Sequence, residues 1–329
     1  MLYPEFLHAG SKIGITAPSC GIPEEKRRLF ELSLDNIKKA GFDTVLTDNV
    51  YKCGKIASTS GETRARELIS LTKRDDIPLV WAASGGDMLV EMLEYIDYDQ
   101  IKKHPKWYMG YSDITGLLFP ITVNCDIATI YGPNAGGLDM TELHPSLKTA
   151  LSIIGGYIPT QSAYPLHERH RVKGLDGFNL DTPTEWDSSC GDFTASGRLI
   201  GGCIDCLQYL IGTKYADLHS FTEKYKDDGI VWYLDNFALT AEATYYALWN
   251  MKNAGWFENA RAVMVSRVLF PGSMFDLSYK EAAVNALGDI PVVLETDTGH
   301  VKPQFTLING SYATLSVKGN GGSLAQKII

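Results

Sequence analysis

Between residues 12 and 125 a short apolar run repeatedly gives way to a turn and then to a segment with helical spacing. Lys12–Thr16 is β-rich and ends at the turn signal Ala17-Pro18-Ser19. Residues 24–40 carry Leu29, Leu32, Leu34 and Ile37 near one helical face, and Gly41 stands where a C-cap would. Phe42–Leu46 reads as a strand and 61–73 as a helix. Ile77–Ala83 then runs as a buried strand into Ser84-Gly85-Gly86, with a helix expected over Met88–Tyr95. Trp107–Tyr111 is a further strand that meets Ser112-Asp113 and an apolar helical run. Parallel strands need a crossover connection, usually a helix, so strand, turn and helix repeated in this way predict a parallel α/β sheet with covering helices.

From about 156 to 190 the periodicity fades into Pro159, Pro165, Gly174, Gly177, Pro183 and the charged stretch His167–Gly174. That composition predicts a connecting segment between an N-terminal α/β domain (1–155) and a C-terminal mixed α/β domain (191–329). The second region carries Thr194–Gly202, a strand over Gly229–Leu234, a helix over about 241–254, and strands at Ala262–Ser266 and Ile290–Leu294. A length of 329 residues accommodates two domains.

Composition narrows the class of function. Apolar residues at 45% and charged ones at 21% exclude disordered and fibrous chains. A nucleic-acid binder needs a basic face to displace counterions from phosphates, and a net charge of −9 argues against one, so no nucleic-acid partner is expected. Neither an 18-residue apolar run nor a secretory leader is visible, which predicts no membrane partner and a cytoplasmic protein. Six scattered cysteines suit a reducing compartment. Cys203 and Cys206 are the close pair; without a second pair or histidines at ligand spacing they read as buried thiols on a helix, and no metal is expected.

Several residues could carry chemistry, each with an ordinary structural reading beside it. Ser112 follows a strand and precedes a helix, where an exposed hydroxyl would sit near the first helical N–H groups; the same pattern serves as a plain N-cap. Ser84-Gly85-Gly86-Asp87 permits close backbone approach of a ligand, or is a tight turn needing positive φ. His300, between Gly299 and Val301 shortly before Pro303, is a rigidly held general base or a structural loop histidine. Asp235 closes an apolar strand, a costly place for a carboxylate without a partner, or forms an Asx turn with Asn236. Ser112, Asp235 and His300 together would supply nucleophile, orienting acid and base. An α/β-hydrolase elbow would want a second glycine, and Ile114 stands there instead.

The combination of Lys12–Ser19, the run from Gly86 through Gly110-Tyr111-Ser112-Asp113, Tyr131-Gly132-Pro133-Asn134, Ser196–Gly202 and Gly299–Pro303 resembles the LD-carboxypeptidase family. Muramoyl-tetrapeptide carboxypeptidases and microcin C self-immunity proteins belong to that family, and the Ser-Gly-Gly-Asp turn is closer to the self-immunity branch. The resemblance implies a cytoplasmic, cofactor-free serine peptidase with a Ser-Glu-His triad, an active site at the domain interface, and a homodimer. It makes Ser112 the nucleophile and His300 the base, with the amides of Gly86 and Asp113 as oxyanion hole. It also places Ser84, Gly85, Asp87, Tyr131 and Asn134 at the substrate, a small peptide or peptide-nucleotide. Two positions depart from the family pattern. Asp235 replaces a glutamate, leaving Glu242 as an alternative acid, and Cys203 replaces an asparagine. Those departures motivate a second reading, a catalytically weakened peptide-binding relative.

Overall fold

The computed structural model describes all 329 residues, which divide into two compact units, Met1–Ile158 and Pro159–Ile329. In chain order the first unit contains β1 (Lys12–Thr16), α1 (Arg27–Lys39), β2 (Asp43–Leu46), α2 (Gly61–Thr72) and β3 (Leu79–Ala82). There follow α3 (Tyr98–Lys103), β4 (Trp107–Gly110), α4 (Thr115–Cys125), β5 (Thr129–Tyr131) and α5 (Pro145–Ile154). Its five strands run parallel in the order β2-β1-β3-β4-β5. The strand order reverses between β1 and β3, so the loops leaving them run to opposite sides at the carboxyl edge, which is where such sheets usually bind ligands. Both β3 and β4 are buried along their whole length, as a sheet covered on two faces requires. Behind them α4 is buried on nearly every side, which explains its lack of a polar face. The helix expected over Met88–Tyr95 is instead a seven-residue 3-10 segment, Leu89–Tyr95. Its first amide, that of Leu89, donates to the Asp113 carboxylate at 2.9 Å.

The second unit begins inside the stretch read as a connector. It contains β6 (Gln161–Ser162), β7 (Leu166–Glu168), β8 (Leu180–Pro183), β9 (Asp187–Ser188), β10 (Phe193–Cys203), α6 (Ile204–Leu207) and α7 (Leu218–Lys224). Then come β11 (Ile230–Asp235), α8 (Ala241–Asn253), β12 (Ala260–Ser266), α9 (Tyr279–Leu287), β13 (Val292–Thr296), β14 (Leu307–Asn309), β15 (Tyr312–Lys318) and β16 (Gly321–Lys327). Eight strands form a mixed sheet ordered β6-β16-β15-β10-β11-β12-β13-β9, parallel from β10 to β13 and antiparallel toward both edges. Residues 156–190 therefore supply both edge strands and the β7–β8 ribbon rather than running free as a linker. Short polar strands of this kind carry too little apolar alternation to be read from sequence. Trp186, from the same stretch, is 2% exposed and donates its indole N–H to Asp297 at 2.8 Å.

No helix in either unit is long and apolar enough to cross a membrane. The second sheet depends on its central pair, β10 and β11, where Leu199, Ile200, Val231 and Trp232 are wholly buried. Replacing Leu199 with Ala should cost about 2–5 kcal/mol through lost burial and the cavity left behind. Urea denaturation followed by tryptophan fluorescence measures this, with a lowered midpoint as the expected outcome.

Candidate active site

In the first unit the site is built at the end of β4. Tyr111 is extended, and Ser112 then takes a left-handed backbone, φ +64°, before the chain turns through Ser112–Ile114 into α4. A non-glycine residue in that conformation costs of order 1–2 kcal/mol and persists only where its surroundings enforce it. The enforcing groups are visible. The Tyr111 amide donates to Asn134 Oδ1 at 3.2 Å, and the Ser112 amide donates to Tyr131 Oη at 3.2 Å. Asp113 is buried, accepting from Ser19 Oγ at 2.5 Å as well as from Leu89 N–H. Burial pushes its carboxyl above the usual range, against the pull of those two donors. Ser112 occupies the cap position of neither the short turn nor α4, so the N-cap reading does not describe it.

The Ser84–Asp87 turn lies against this elbow. A Cβ added to Gly85 would stand 3.3 Å from Ser112 Cβ and 3.5 Å from its Oγ. At Gly86 the added carbon would fall 2.3 Å from Ser19 Oγ and 3.1 Å from the Cys20 nitrogen. Neither glycine has positive φ; close packing, not backbone conformation, selects them. Ser84, Gly85 and Gly86 are half-buried and Asp87 is exposed. Tyr131 and Asn134, expected at the substrate, are buried, and their polar atoms hold the elbow's amides. Arg64, which the sequence reading missed, is wholly buried and donates to the carbonyls of Pro18 and Met88 at 2.9 Å each. It thereby ties together the two loops that flank Ser112.

The second unit pairs the other two candidates. Asp235 ends β11 with no exposed surface, and His300 Nδ1 lies 3.0 and 2.8 Å from its two carboxylate oxygens. The same carboxylate accepts from the His300 amide at 3.2 Å and Ser266 Oγ at 3.4 Å. A carboxylate there fixes the histidine tautomer, putting the proton on Nδ1 and leaving Nε2 as the basic nitrogen. Gly299 has φ +89°, and a Cβ on it would lie 1.8 Å from Asp235 Oδ1, so only glycine lets the loop approach. Upstream, Asp297 forms a buried ion pair with Arg267 at 2.8 Å, which holds the chain entering this loop. The Phe237 ring packs 4.6 Å from the imidazole.

Glu242, the alternative acid, is engaged elsewhere. Its Oε1 accepts from Ser273 Oγ at 2.7 Å and from the amides of Met274 and Phe275 at 3.0 Å each. Those bonds, the Ser273 hydroxyl foremost, pull its pKa from 4.5 to about 2. Cys203 ends β10 directly across from Asp235 in the sheet register, and its Sγ lies within 4.8 Å of both an Asp235 oxygen and a His300 ring nitrogen. It caps α6 from the strand end, rather than lying on a helix as the sequence suggested.

Set beside known proteins, the two halves carry one signature. The LD-carboxypeptidase N-terminal domain pattern matches residues 13–132, and the C-terminal domain pattern matches residues 196–315. The chain belongs to the LD-carboxypeptidase family, a family of peptidases. YocD of Bacillus subtilis, named as a carboxypeptidase, is 24% identical over 334 residues, covering 97% of each chain. A Vibrio cholerae relative, also named as a carboxypeptidase, is 27% identical over 65% of this chain and 66% of its own length. The microcin C7 self-immunity protein MccF of Escherichia coli is 31% identical over 64% of this chain and 63% of its own length. A structure of MccF with aspartyl sulfamoyl adenosine superposes with a TM-score of 0.84 at 21% identity, covering 100% of this chain and 99% of that one. These matches establish the family and the mixed α/β architecture expected from the sequence.

Two measurements check the local geometry. Ser112→Gly should be stabler than wild type by about 0.5–1 kcal/mol, because relief of the left-handed strain exceeds glycine's extra unfolded-state entropy; equilibrium denaturation reads the difference. Because Glu242 has a depressed pKa, its contribution is complete above pH 4.5 and fades as pH falls toward about 2. Hydrogen exchange at the Met274 and Phe275 amides should stay slow at pH 4, after correction for intrinsic rates. The Glu242→Gln variant should exchange faster there.

Proposed function

We propose that this chain is a serine hydrolase that cleaves an amide in a short peptide or peptide-nucleotide through an acyl-enzyme. The observation that carries this reading is the enforced left-handed backbone of Ser112 at the end of a buried parallel strand. Natural folds tolerate such strain where a side chain must be presented in one direction. His300 Nε2 takes the Ser112 proton as Oγ attacks the carbonyl carbon. The amides of Gly86 and Asp113 receive the charge that develops on the carbonyl oxygen. Collapse of the tetrahedral intermediate expels the amine, which takes the proton from His300. Water activated by the same imidazole then releases the acid and regenerates Ser112. Asp235 holds the ring and balances the imidazolium that forms.

The nucleophile thus comes from the first unit and the acid and base from the second, so either unit alone would be inactive. For substrate we infer an LD-bond of a muropeptide or the acidic aminoacyl amide of a microcin C-like compound. Support for the second class comes from the Ser-Gly-Gly-Asp turn and from MccF neighbours holding aspartyl and glutamyl sulfamoyl nucleosides. The weakened-binder reading rests on the shorter acid at 235 and on Cys203; the first ground is weakened because that acid lies within hydrogen-bond distance of the imidazole, while Cys203 remains the ground for the alternative.

Ser112→Ala should lower kcat by at least about ten-thousandfold on whichever amide is turned over, and Asp235→Asn by about the same factor through loss of the correct tautomer. Assays with a muropeptide and with aspartyl sulfamoyl adenosine check this, alongside fluorophosphonate labelling of Ser112. Undiminished turnover by Ser112→Ala would overturn the assignment.

A further inference from the structure

Acyl transfer by Ser112, Asp235 and His300 gives Cys203 no part to play, yet Cys203 occupies the one position in β10 that faces Asp235 across the sheet. Its sulfur, a carboxylate oxygen of Asp235 and a ring nitrogen of His300 all lie within 4.8 Å of one another. The three groups are buried or nearly so, at 2% for Cys203, 0% for Asp235 and 9% for the His300 side chain. A second thiol, Cys206, lies one helical turn on and hydrogen-bonds with the first. Asp205 Oδ2 also approaches the Cys203 sulfur, at 3.5 Å, but this carboxylate already accepts the amides of Phe237 and Ala238 and serves as an anchor for that loop.

We propose that Cys203, Asp235 and His300 form a binding site for a thiophilic divalent cation of the Zn2+ or Cd2+ class, with the fourth position left to a solvent ligand, and that occupancy of the site switches hydrolysis off. Sulfur, imidazole and carboxylate in one buried cluster match the preferences of such ions and not those of Mg2+ or Ca2+. Tetrahedral zinc, with bonds of about 2.3 Å to sulfur and about 2.0–2.1 Å to nitrogen, spaces its donors about 3.5–3.8 Å apart. The sulfur, within 4.8 Å of the other two donors, reaches that spacing by closing about 1 Å, while His300 Nδ1 and the Asp235 oxygens, 2.8 and 3.0 Å apart, open by about half an ångström; both are the scale of a side-chain rotation. The coordinating thiol gives up its proton to solvent, and the imidazole offers a lone pair while its proton moves to the other ring nitrogen. An imidazole committed to the metal accepts no proton from serine, so cation and catalysis exclude each other. The inhibitory half of the proposal rests on the reading of His300 as the general base; the binding half does not.

The test uses full-length protein kept reduced with a phosphine, titrated with Cd2+ alone and followed by thiolate-to-cadmium absorption in the ultraviolet. Zn2+ affinity is measured by competition with a chromophoric chelator. A single tight ion per chain is expected, retained in Cys53→Ser and Cys190→Ser. Affinity should fall by at least about a hundredfold in Cys203→Ser and in His300→Ala, the upper end of what losing even an outer-sphere partner costs. Cys203→Ala, checked by thermal melting, guards against misfolding of the serine variant. Absence of the absorption band, or a band of equal affinity in both folded Cys203 variants, overturns the site. With an active substrate in hand, micromolar Zn2+ should inhibit wild type and spare Cys203→Ser. Equal inhibition of both overturns the switch. Absence of turnover without added metal would count against the hydrolase reading while leaving the titration as the judge of the site.

Discussion

A wholly buried carboxylate is the constraint around which the second unit is organised. An isolated ionised group in a protein interior costs several kcal/mol unless its charge and lone pairs are met. Asp235 meets that condition with the His300 ring, the His300 amide and the Ser266 hydroxyl. Each partner imposes a further requirement. The loop must pass close enough for its amide to donate, and this excludes any side chain at position 299. Its approach is held by the Arg267–Asp297 pair, itself capped by the Trp186 indole. One charge at a strand end thus accounts for residues on β12, on the loop after β13 and in the stretch before β9.

The first unit solves a different problem with similar means. There the cost is backbone strain at Ser112, and the restraints are Tyr131 on the Ser112 amide, Asn134 on the Tyr111 amide and buried Asp113 beside them. Ser19 and Arg64 then bind the neighbouring loops to the same cluster. Rigidity achieved this way suits a nucleophile, because a misplacement of the reacting atom is expensive in rate. Cys203 stands apart: it shares the surroundings of Asp235 and His300, with its sulfur within 4.8 Å of both, where the family pattern has an asparagine.

How much of this was legible beforehand depended on the range of the interaction. Parallel strands in the first half were readable because both-face burial writes continuous apolar runs such as Leu79–Ala82 and Trp107–Met109. Segment 156–190 was misread as a connector because its strands are two to four residues long and polar. The family pattern associates Tyr131 and Asn134 with substrate, and only the folded chain adds that both also hold the elbow's amides. Nothing in local sequence marks Arg64 or Ser266, whose partners lie 24 to 46 residues away for the first and about 31 for the second.

Sequence alone determined the α/β class of the first half, the family, and the identity of Ser112, Asp235 and His300 as candidates, since these follow from local periodicity and from motifs read in order. Only tertiary structure decided that Asp235 rather than Glu242 faces the imidazole, and that Cys203 joins them. The reason is geometric. Asp235 and His300 are 65 residues apart, and sheet register together with a glycine loop, not spacing along the chain, sets which side chains meet.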